Sequence, residues 1–569
     1  MTLAIRPVAL AVILLAADGM AGAQEIYQRP GGEPPPAPPP APVGDATADH
    51  LLQDMPIPDR NRIIDALGVP DNPLNPYQQS TLKGDRPVFD DWFVTLGAVS
   101  DSLYEPRAVP VPQNMLYGDG NDSFGRPRQT FVSQTLLASL SLSEGDTTFK
   151  PPDFLIKVTP AANFTHLQVE EPGLVSVDPT QGNVRNRGFV ALQEGFIDYH
   201  LRDVSDRYDF DALRVGIQPF NADFRGFLFQ DQQLGVRFSG TRDNNRIQYN
   251  VAGFRRIEKD TNSGLNDLGQ PLRRDDIVLA NLYVQDLAHE GLTSEFSVVE
   301  NWNREGDYYY DRNGFLVRPV QFGLENPHVY DVTYLGQSND GHIGWLNLTS
   351  EVYAALGHDS QNELSGNKAR IRAYFAAFEP SVDVDWIRLR GSFLWASGDR
   401  QPGGRTETGF DAINENPQFA GADTSYWIRQ AIPLIGGGTL LVGQNSILPS
   451  LRASKDEGQS NFINPGIMLL GAGADFDLLP ELRFSVNLNH YRFDNTAVLE
   501  ILRQQGGIDR DIGWDLSGAV NIRPFDTQNF VLRASVAVLR PGDGFRALYA
   551  TLPDGALLYS GLVNLIMTY

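Results

Sequence analysis

The chain has 569 residues, no cysteine, and 70 acidic against 46 basic side chains, for a net charge of -24. So acidic a balance excludes the basic footprint that nucleic-acid binding depends on. The missing cysteines exclude disulfides, covalent c-type haem and thiolate-built metal or redox centres in an exported protein.

The first residues read as an address. Arg6 stands in a short basic region, Val8 to Ala17 is an apolar run, and Ala21-Gly22-Ala23 is a small-residue cleavage site. This predicts a secretory signal over 1–23, too short to cross a bilayer as a helix. No later stretch approaches the about 20 consecutive apolar residues of a spanning helix. Residues 24–88 are expected to form a periplasmic linker. Its run PGGEPPPAPPPAPV (30–43) loses donors and has φ fixed at each proline, so it stays extended. The helical spacing of Ile63, Ile64 and Leu67 then suggests a short helix, either in the periplasm, where it would meet a periplasmic partner, or turned up toward a pore. The periplasmic position is the preferred expectation.

From Trp92 onward the pattern changes to a period of two. Leu482, Phe484, Val486 and Leu488 alternate with Arg483, Ser485, Asn487 and Asn489, and Ile387, Leu389, Gly391, Phe393 and Trp395 alternate with Arg388, Arg390, Ser392, Leu394 and Ala396. Such alternation places successive side chains on opposite faces of a strand. About 18 segments of this kind begin near Trp92, Gln129, Asp153, Phe189, Phe210, Leu234, Arg246, Ile277, Leu292, Val329, His342, Lys368, Trp386, Pro465, Leu482, Gly513, Phe530 and Ala556. Short connections, such as those near Asp243, Glu290, Asn339, Pro480 and Asp526, alternate with long ones at 103–128, 171–187, 258–275, 303–327, 397–463 and 494–511. Short turns at one end and long loops at the other are the asymmetry of an antiparallel transmembrane β-barrel, here all-β and spanning 89–569. Within the longest connection, Ser425 to Gln444 reads as a loop with local structure; an inward constriction and two further strands are the alternatives.

The last eleven residues, YSGLVNLIMTY, alternate Tyr559, Gly561, Val563, Leu565 and Met567 with Ser560, Leu562, Asn564, Ile566 and Thr568, and end on Tyr569. This resembles the closing strand of bacterial outer-membrane barrels, whose terminal aromatic joins the interfacial girdle. The resemblance implies insertion into outer-membrane lipid and recognition of that strand by the barrel-assembly machinery.

With the apolar face of each strand assigned to lipid, the basic side chains expected on the pore lining are Lys157, Arg214, Arg237, Arg370, Arg372, Arg388, Arg390, Arg483, Arg523 and Arg533. The acids there are Glu194, Asp198, Glu295 and Asp515. Arg370/Arg372 and Arg388/Arg390 fall on consecutive strands, which would gather four guanidinium groups. Rings of arginine favour anions; the alternative is that each arginine is braced by a neighbouring carboxylate. Tyr374 and Tyr491 are expected on the same inner face. Acidic runs such as 260–267 lack the spacing of an EF-hand and read as solvated loop.

The stretch LQEGFIDYHL (192–201), followed by LRVGIQPF (213–220), resembles the strand-turn-strand of alginate-export-type outer-membrane proteins. WASGDRQPGGRTETGFDAINENPQFAGADTSYW (395–427) is similar to the same family's ASGD element and the loop that follows it. The resemblance implies an 18-stranded barrel with an arginine-lined pore over residues 90 to 569.

The eight histidines are scattered singly, and no nucleophile, base and orienter assemble, so neither an enzyme nor a metal or other cofactor is expected. The functional expectation is a porin-like channel in the cell outer membrane for an anionic small molecule or an acidic polysaccharide. A non-transporting sheath around a surface complex and a loop-based receptor or adhesin are the alternatives.

Overall fold

A computed structural model describes residues 68–569 except 69, 74, 76–79, 109–127, 146–150, 171–174, 208, 308, 313, 315, 318–326, 422–457, 526–528 and 549–557. The signal, the Pro-rich run, the short helix near Ile63 and the segment Ser425 to Gln444 lie outside the described residues.

The chain builds one sheet of 20 strands, of which two are short additions and 18 form the wall. β1 (Lys83–Phe89) precedes β2 (Trp92–Ala108), and the wall runs on through β3 (Arg128–Glu144), β4 (Phe154–Val169), β5 (Val184–Asp203), β6 (Phe210–Asn221), β7 (Gln230–Arg242), β8 (Ile247–Arg255), β9 (Asp275–Gln285) and β10 (Leu292–Asn303). The loop pair β11 (Tyr309–Tyr310) and β12 (Leu316–Val317) stands apart from the sheet. The wall resumes with β13 (Tyr330–Ile343), β14 (Leu346–Asp359), β15 (Ala369–Val384) and β16 (Ile387–Ala396). After the two-residue β17 (Thr406–Glu407) come β18 (Ile467–Leu479), β19 (Leu482–Arg492), β20 (Asp511–Ile522), β21 (Phe530–Pro541) and β22 (Leu558–Thr568). Among the described residues, two short α-helices, α1 (Ala497–Arg503) and α2 (Asp543–Leu548), lie in long connections.

Each wall strand pairs antiparallel with the next, and β22 pairs back onto β2, from Val99 opposite Thr568 to Ala108 opposite Tyr559. The barrel is therefore closed, and no backbone edge is left for lipid to desolvate. At the seam the Tyr569 N–H donates to Ala98 O at 2.8 Å, and β1 continues the lane of β22 below it, pairing Lys83 with Thr95. Leu562, on the inner face, is buried, as the closing strand's alternation requires.

The tight turns at one end carry residues that accept a left-handed backbone: Asp243, Asn244 and Asn245 at φ of 56, 57 and 62°, Asp286 at 57°, Gly344 at 61° and Asp385 at 55°. The long connections all fall at the other end. Outward side chains such as Val215, Val236, Leu335, Val352, Leu389, Leu488 and Val536 are exposed and make a continuous aliphatic belt. Exposed aromatics edge it, with Phe89, Tyr199, Trp345, Trp386 and Phe525 toward the tight turns and Tyr104, Phe164, Trp514 and Tyr559 toward the long loops. This is a lipid-facing surface with its interfacial girdles.

The interior departs from a water-filled tube. Toward the long-loop end, many inward side chains of the wall from β8 to β19 are apolar: Phe254, Ile277, Leu279, Val299, Val332, Tyr334, Ala355, Ile371, Ala373 and Phe375 share one buried cluster with Phe227, Leu228, Phe229, Phe410, Ala412, Ile413, Phe419, Phe462 and Ile463 from the connections, beside buried polar residues such as Asp275, Asn301 and Asn303. The loops thus fold inward and supply the barrel with a hydrophobic core. The segment 260–267, expected as solvated loop, also turns inward: Asp260, Asn262, Leu265, Asn266 and Asp267 are buried, and the Asn266 N–H donates to Gln193 Oε1 at 2.8 Å.

Candidate functional site

The inner wall and the loops folded against it form the candidate site. The tight loop after β6 is held by one carboxylate. Asp223 Oδ1 accepts the main-chain N–H groups of Arg225 and Phe227, each at 3.0 Å, and that of Gly226, while Oδ2 accepts Leu228 N–H at 2.9 Å and the Tyr353 hydroxyl at 3.0 Å. Gly226 has φ +77°, and a Cβ there would lie 2.7 Å from Asn416 O, so this position accepts only glycine without strain. The loop lies along the segment 412–418: Gln418 N–H donates to Arg225 O and Asn416 N–H to Gly226 O, both at 2.8 Å. Phe227 packs between Phe375 of the wall, with centroids 4.9 Å apart, and Phe419, at 5.3 Å. Two connections distant in sequence therefore make one inward layer, anchored to the wall where Ala420 N–H donates to Glu379 Oε2 at 2.8 Å and the Tyr334 hydroxyl to Asp411 O at 2.9 Å.

Beneath this layer an acidic row crosses the wall. In register, Tyr283 faces Glu295, Glu295 faces Ser338 and Ser338 faces Glu351. Glu295 accepts Asn281 Nδ2–H at 2.9 Å. Both Glu351 oxygens and Ser338 Oγ are buried, and among the described residues Arg225 is the one cation acting on Glu351.

Toward the tight-turn end the inner wall is charged and reaches water. Lys157 Nζ lies 2.7 Å from Glu194, and Arg214 Nε donates to Asp198 at 2.7 Å. Arg388 makes a two-point contact with Asp383 at 2.5 and 2.8 Å, and Arg483 one with Asp477 at 2.5 and 2.7 Å. Arg390 joins Asp475 and Asn487, both at 2.6 Å. Arg237 donates to Asn250 at 2.8 Å and Arg533 to Asn521 at 2.7 Å. Glu295 and Asp515 also face inward; Asp515 accepts the hydroxyl of the buried, inward Tyr491 at 2.9 Å. The braced alternative describes most of these arginines, and their partners Asp383, Asp475 and Asp477 were missing from the sequence-based set. The signal was available, because Asp475 and Asp477 alternate with Phe476 along β18, on the face opposite the apolar one.

Arg370, Arg372 and Tyr374 are corrections. Ala369, Ile371, Ala373 and Phe375 are the buried, inward residues of β15, so these three point outward and are exposed. Arg372 Nε donates to the Tyr374 hydroxyl at 2.8 Å. The cluster of four guanidinium groups does not form. The physical reason is the internal core: on this strand the apolar face packs against the inward loops rather than against lipid.

Among solved structures, the chain is similar to OccK7 (OpdD) of Pseudomonas aeruginosa, at 11% identity and TM-score 0.48, covering 84% of this chain and 99% of that one. It is similar to OccAB3 of Acinetobacter baumannii at 11% and 0.44, covering 84% and 99%, and to Pseudomonas aeruginosa OpdK with vanillate at 10% and 0.45, covering 84% and 98%. No protein-family model and no curated protein matches the sequence.

Proposed function

We propose that the chain is an outer-membrane channel that passes small polar solutes and prefers those bearing a carboxylate. The observation that carries this reading is the row Arg388, Arg390 and Arg483 on β16 and β19, on the inner wall and fixed by Asp383, Asp475 and Asp477, with Arg388 about one-third exposed and the other two mostly buried. A two-point contact with an aspartate occupies two of the five N–H donors of a guanidinium, which on Arg388 leaves the remainder for a passing group. The aspartates also cancel much of the arginines' long-range field. Selection then acts at contact, on groups that match a guanidinium, and gives only a modest preference among simple ions.

The inward loops favour a small solute over a polysaccharide, since an extended polymer would need a wide continuous bore. They also occupy the space that a sheathed partner protein would take, which supports a channel over a sheath. In planar bilayers, the purified barrel is expected to conduct with a mild preference for chloride over potassium, and millimolar benzoate should add resolvable blocking events. The triple variant Arg388→Ser/Arg390→Ser/Arg483→Ser should lose the blocking and turn toward cations, because its aspartates remain. A barrel that does not conduct, or a wild type that prefers cations and ignores benzoate, sinks the reading.

A further inference from the structure

The outward arginines of β15 have no task in the channel, and their setting suggests another. Arg370 and Arg372 lie two residues apart on the lipid-facing side, at the end of the strand that follows the long-loop connection 360–368. Being on one face, they stand about 7 Å apart. Beside them runs β17, where Thr406 pairs with Arg370 and the Arg405 carbonyl accepts the Arg370 N–H at 2.9 Å. Directly across the strand pair, His358 also points outward, 3.9 Å from Asp331 on the next strand over. That acid faces the histidine and leaves the arginines to themselves: among the described residues, the Arg370 side chain has neither a hydrogen bond nor an ion pair.

Immediately below, on the same outward face, come Leu335, Val352, Leu356 and Phe378, all exposed to the bilayer. A protein of net charge -24 thus places guanidinium groups where its aliphatic belt ends. In a bulk solvent this would be an ordinary solvated rim. At the loop end of an outer-membrane barrel the neighbouring medium is the outer leaflet, made of glycolipid whose sugar headgroup carries phosphates above several acyl chains.

We propose that Arg370 and Arg372 form a binding site for the phosphorylated glycolipid of the outer leaflet, the phosphate on the guanidinium pair and the acyl chains along Leu335, Val352, Leu356 and Phe378. Guanidinium meets phosphate through paired N–H donors, and Arg372 is steadied for this by the Tyr374 hydroxyl. The inference rests on the outer-membrane part of the function proposed above but not on its solute preference. It gives the extracellular side of the wall a fixed lipid neighbour.

The test uses the full barrel in detergent, titrated with bisphosphorylated lipid A, dephosphorylated lipid A and phosphatidylglycerol, with bound lipid read by native mass spectrometry. Wild type is expected to retain bisphosphorylated lipid A far better than the other two. Each arginine should contribute about fivefold, so Arg370→Ser/Arg372→Ser should weaken retention about 25-fold. Arg370→Lys/Arg372→Lys should recover part of it. Since neither residue faces the pore, the Ser variant should conduct as wild type does, and this also certifies its folding. Equal retention of phosphatidylglycerol, or unchanged retention by the Ser variant, overturns the site. Retention that follows the arginines in a barrel without benzoate block supports the site while the solute reading fails.

Discussion

At the scale of single residues, the least comfortable group in the barrel is Glu351. Its carboxylate is buried, faces Ser338 across the strand pair and shares its surroundings with Glu295 and Asp223, with only Arg225 and that residue's main-chain N–H set against them. An ionised group so placed costs free energy that neighbouring contacts must offset. Asp223, also buried, differs because it gathers a fan of main-chain N–H groups and the Tyr353 hydroxyl. Glu351→Gln keeps the volume, excludes ionisation and provides a donor toward Ser338 Oγ. It should stabilise the barrel by about 1 to 3 kcal/mol, the usual cost of an unsatisfied buried polar group. The measurement is the temperature at which the folded barrel loses its faster electrophoretic mobility, which should rise. A fall would mean that the contact of Glu351 with Arg225 outweighs the crowding of acids.

At the scale of elements, the long connection between β16 and β18 is governed by buried acids. Burial, with repulsion from Asp359, Glu363 and Asp399, pushes the Glu407 carboxyl up to about 9, against a hydrogen bond from Asn362 that lowers it. Burial pushes Asp399 up to about 6. A carboxyl whose pKa is higher in the folded connection than in a free chain favours the folded form while protonated. Its stabilisation is full below the free-chain values near about 4 and is lost as pH rises. The loss passes through about 6 for Asp399 and about 9 for Glu407. Amide exchange protection factors over 397–421 should therefore fall between pH 5 and pH 9 more steeply than those of the wall, and Glu407→Gln should flatten the upper part of that fall; parallel profiles in the variant and wild type would refute the role of Glu407. The same connection shows where sequence reading stops. The wall strands were legible because alternation and the short-long rhythm of connections are local, and the observed starts at Trp92, Phe210, Leu292, Leu482 and Phe530 coincide with the expected ones. On β5 the strand begins at Val184, five residues before the expected Phe189, because Val184 to Gly188 carries little alternation to mark it. On β15 the expected alternation is present, but its apolar side faces inward. Ile371, Ala373 and Phe375 look lipid-facing until Phe227 and Phe410 are known to pack on Phe375 from within, at 4.9 and 5.1 Å, and those partners lie far away in sequence.

At the scale of the whole molecule, two structures are nested. The wall is held by strand pairing that runs unbroken from β2 round to β22 and needs nothing from the interior, while the inward loops are held by packing on the inner faces of β8 to β10 and β13 to β19. Most of the candidate site follows from this division. The charged pairs of the inner wall were foreseeable strand by strand, but the loop layer, which narrows the bore, depends on contacts between connections nearly two hundred residues apart, such as Gln418 with Arg225. The division also makes the two structures separable. Replacing 410–420 by a flexible Gly/Ser segment removes Phe410, Ala412, Ile413, Phe419 and Ala420 from the interior and frees the loop after β6 from its main-chain partners. The wall should still close, because the pairing between its strands does not involve these residues, although newly wetted side chains such as Phe375 each forfeit about 2 kcal/mol of burial. The expected result is a barrel that still shows a folded mobility, unfolds at lower temperature and conducts several times more current, with weaker discrimination among solutes as the bore approaches that of an open 18-stranded wall. Unchanged current in a folded variant would mean that solutes pass by a route the loop layer does not touch, and the constriction would then have to be sought along the polar inner face of β2 to β4, where Asp101, Ser133 and Thr135 are partly open to water.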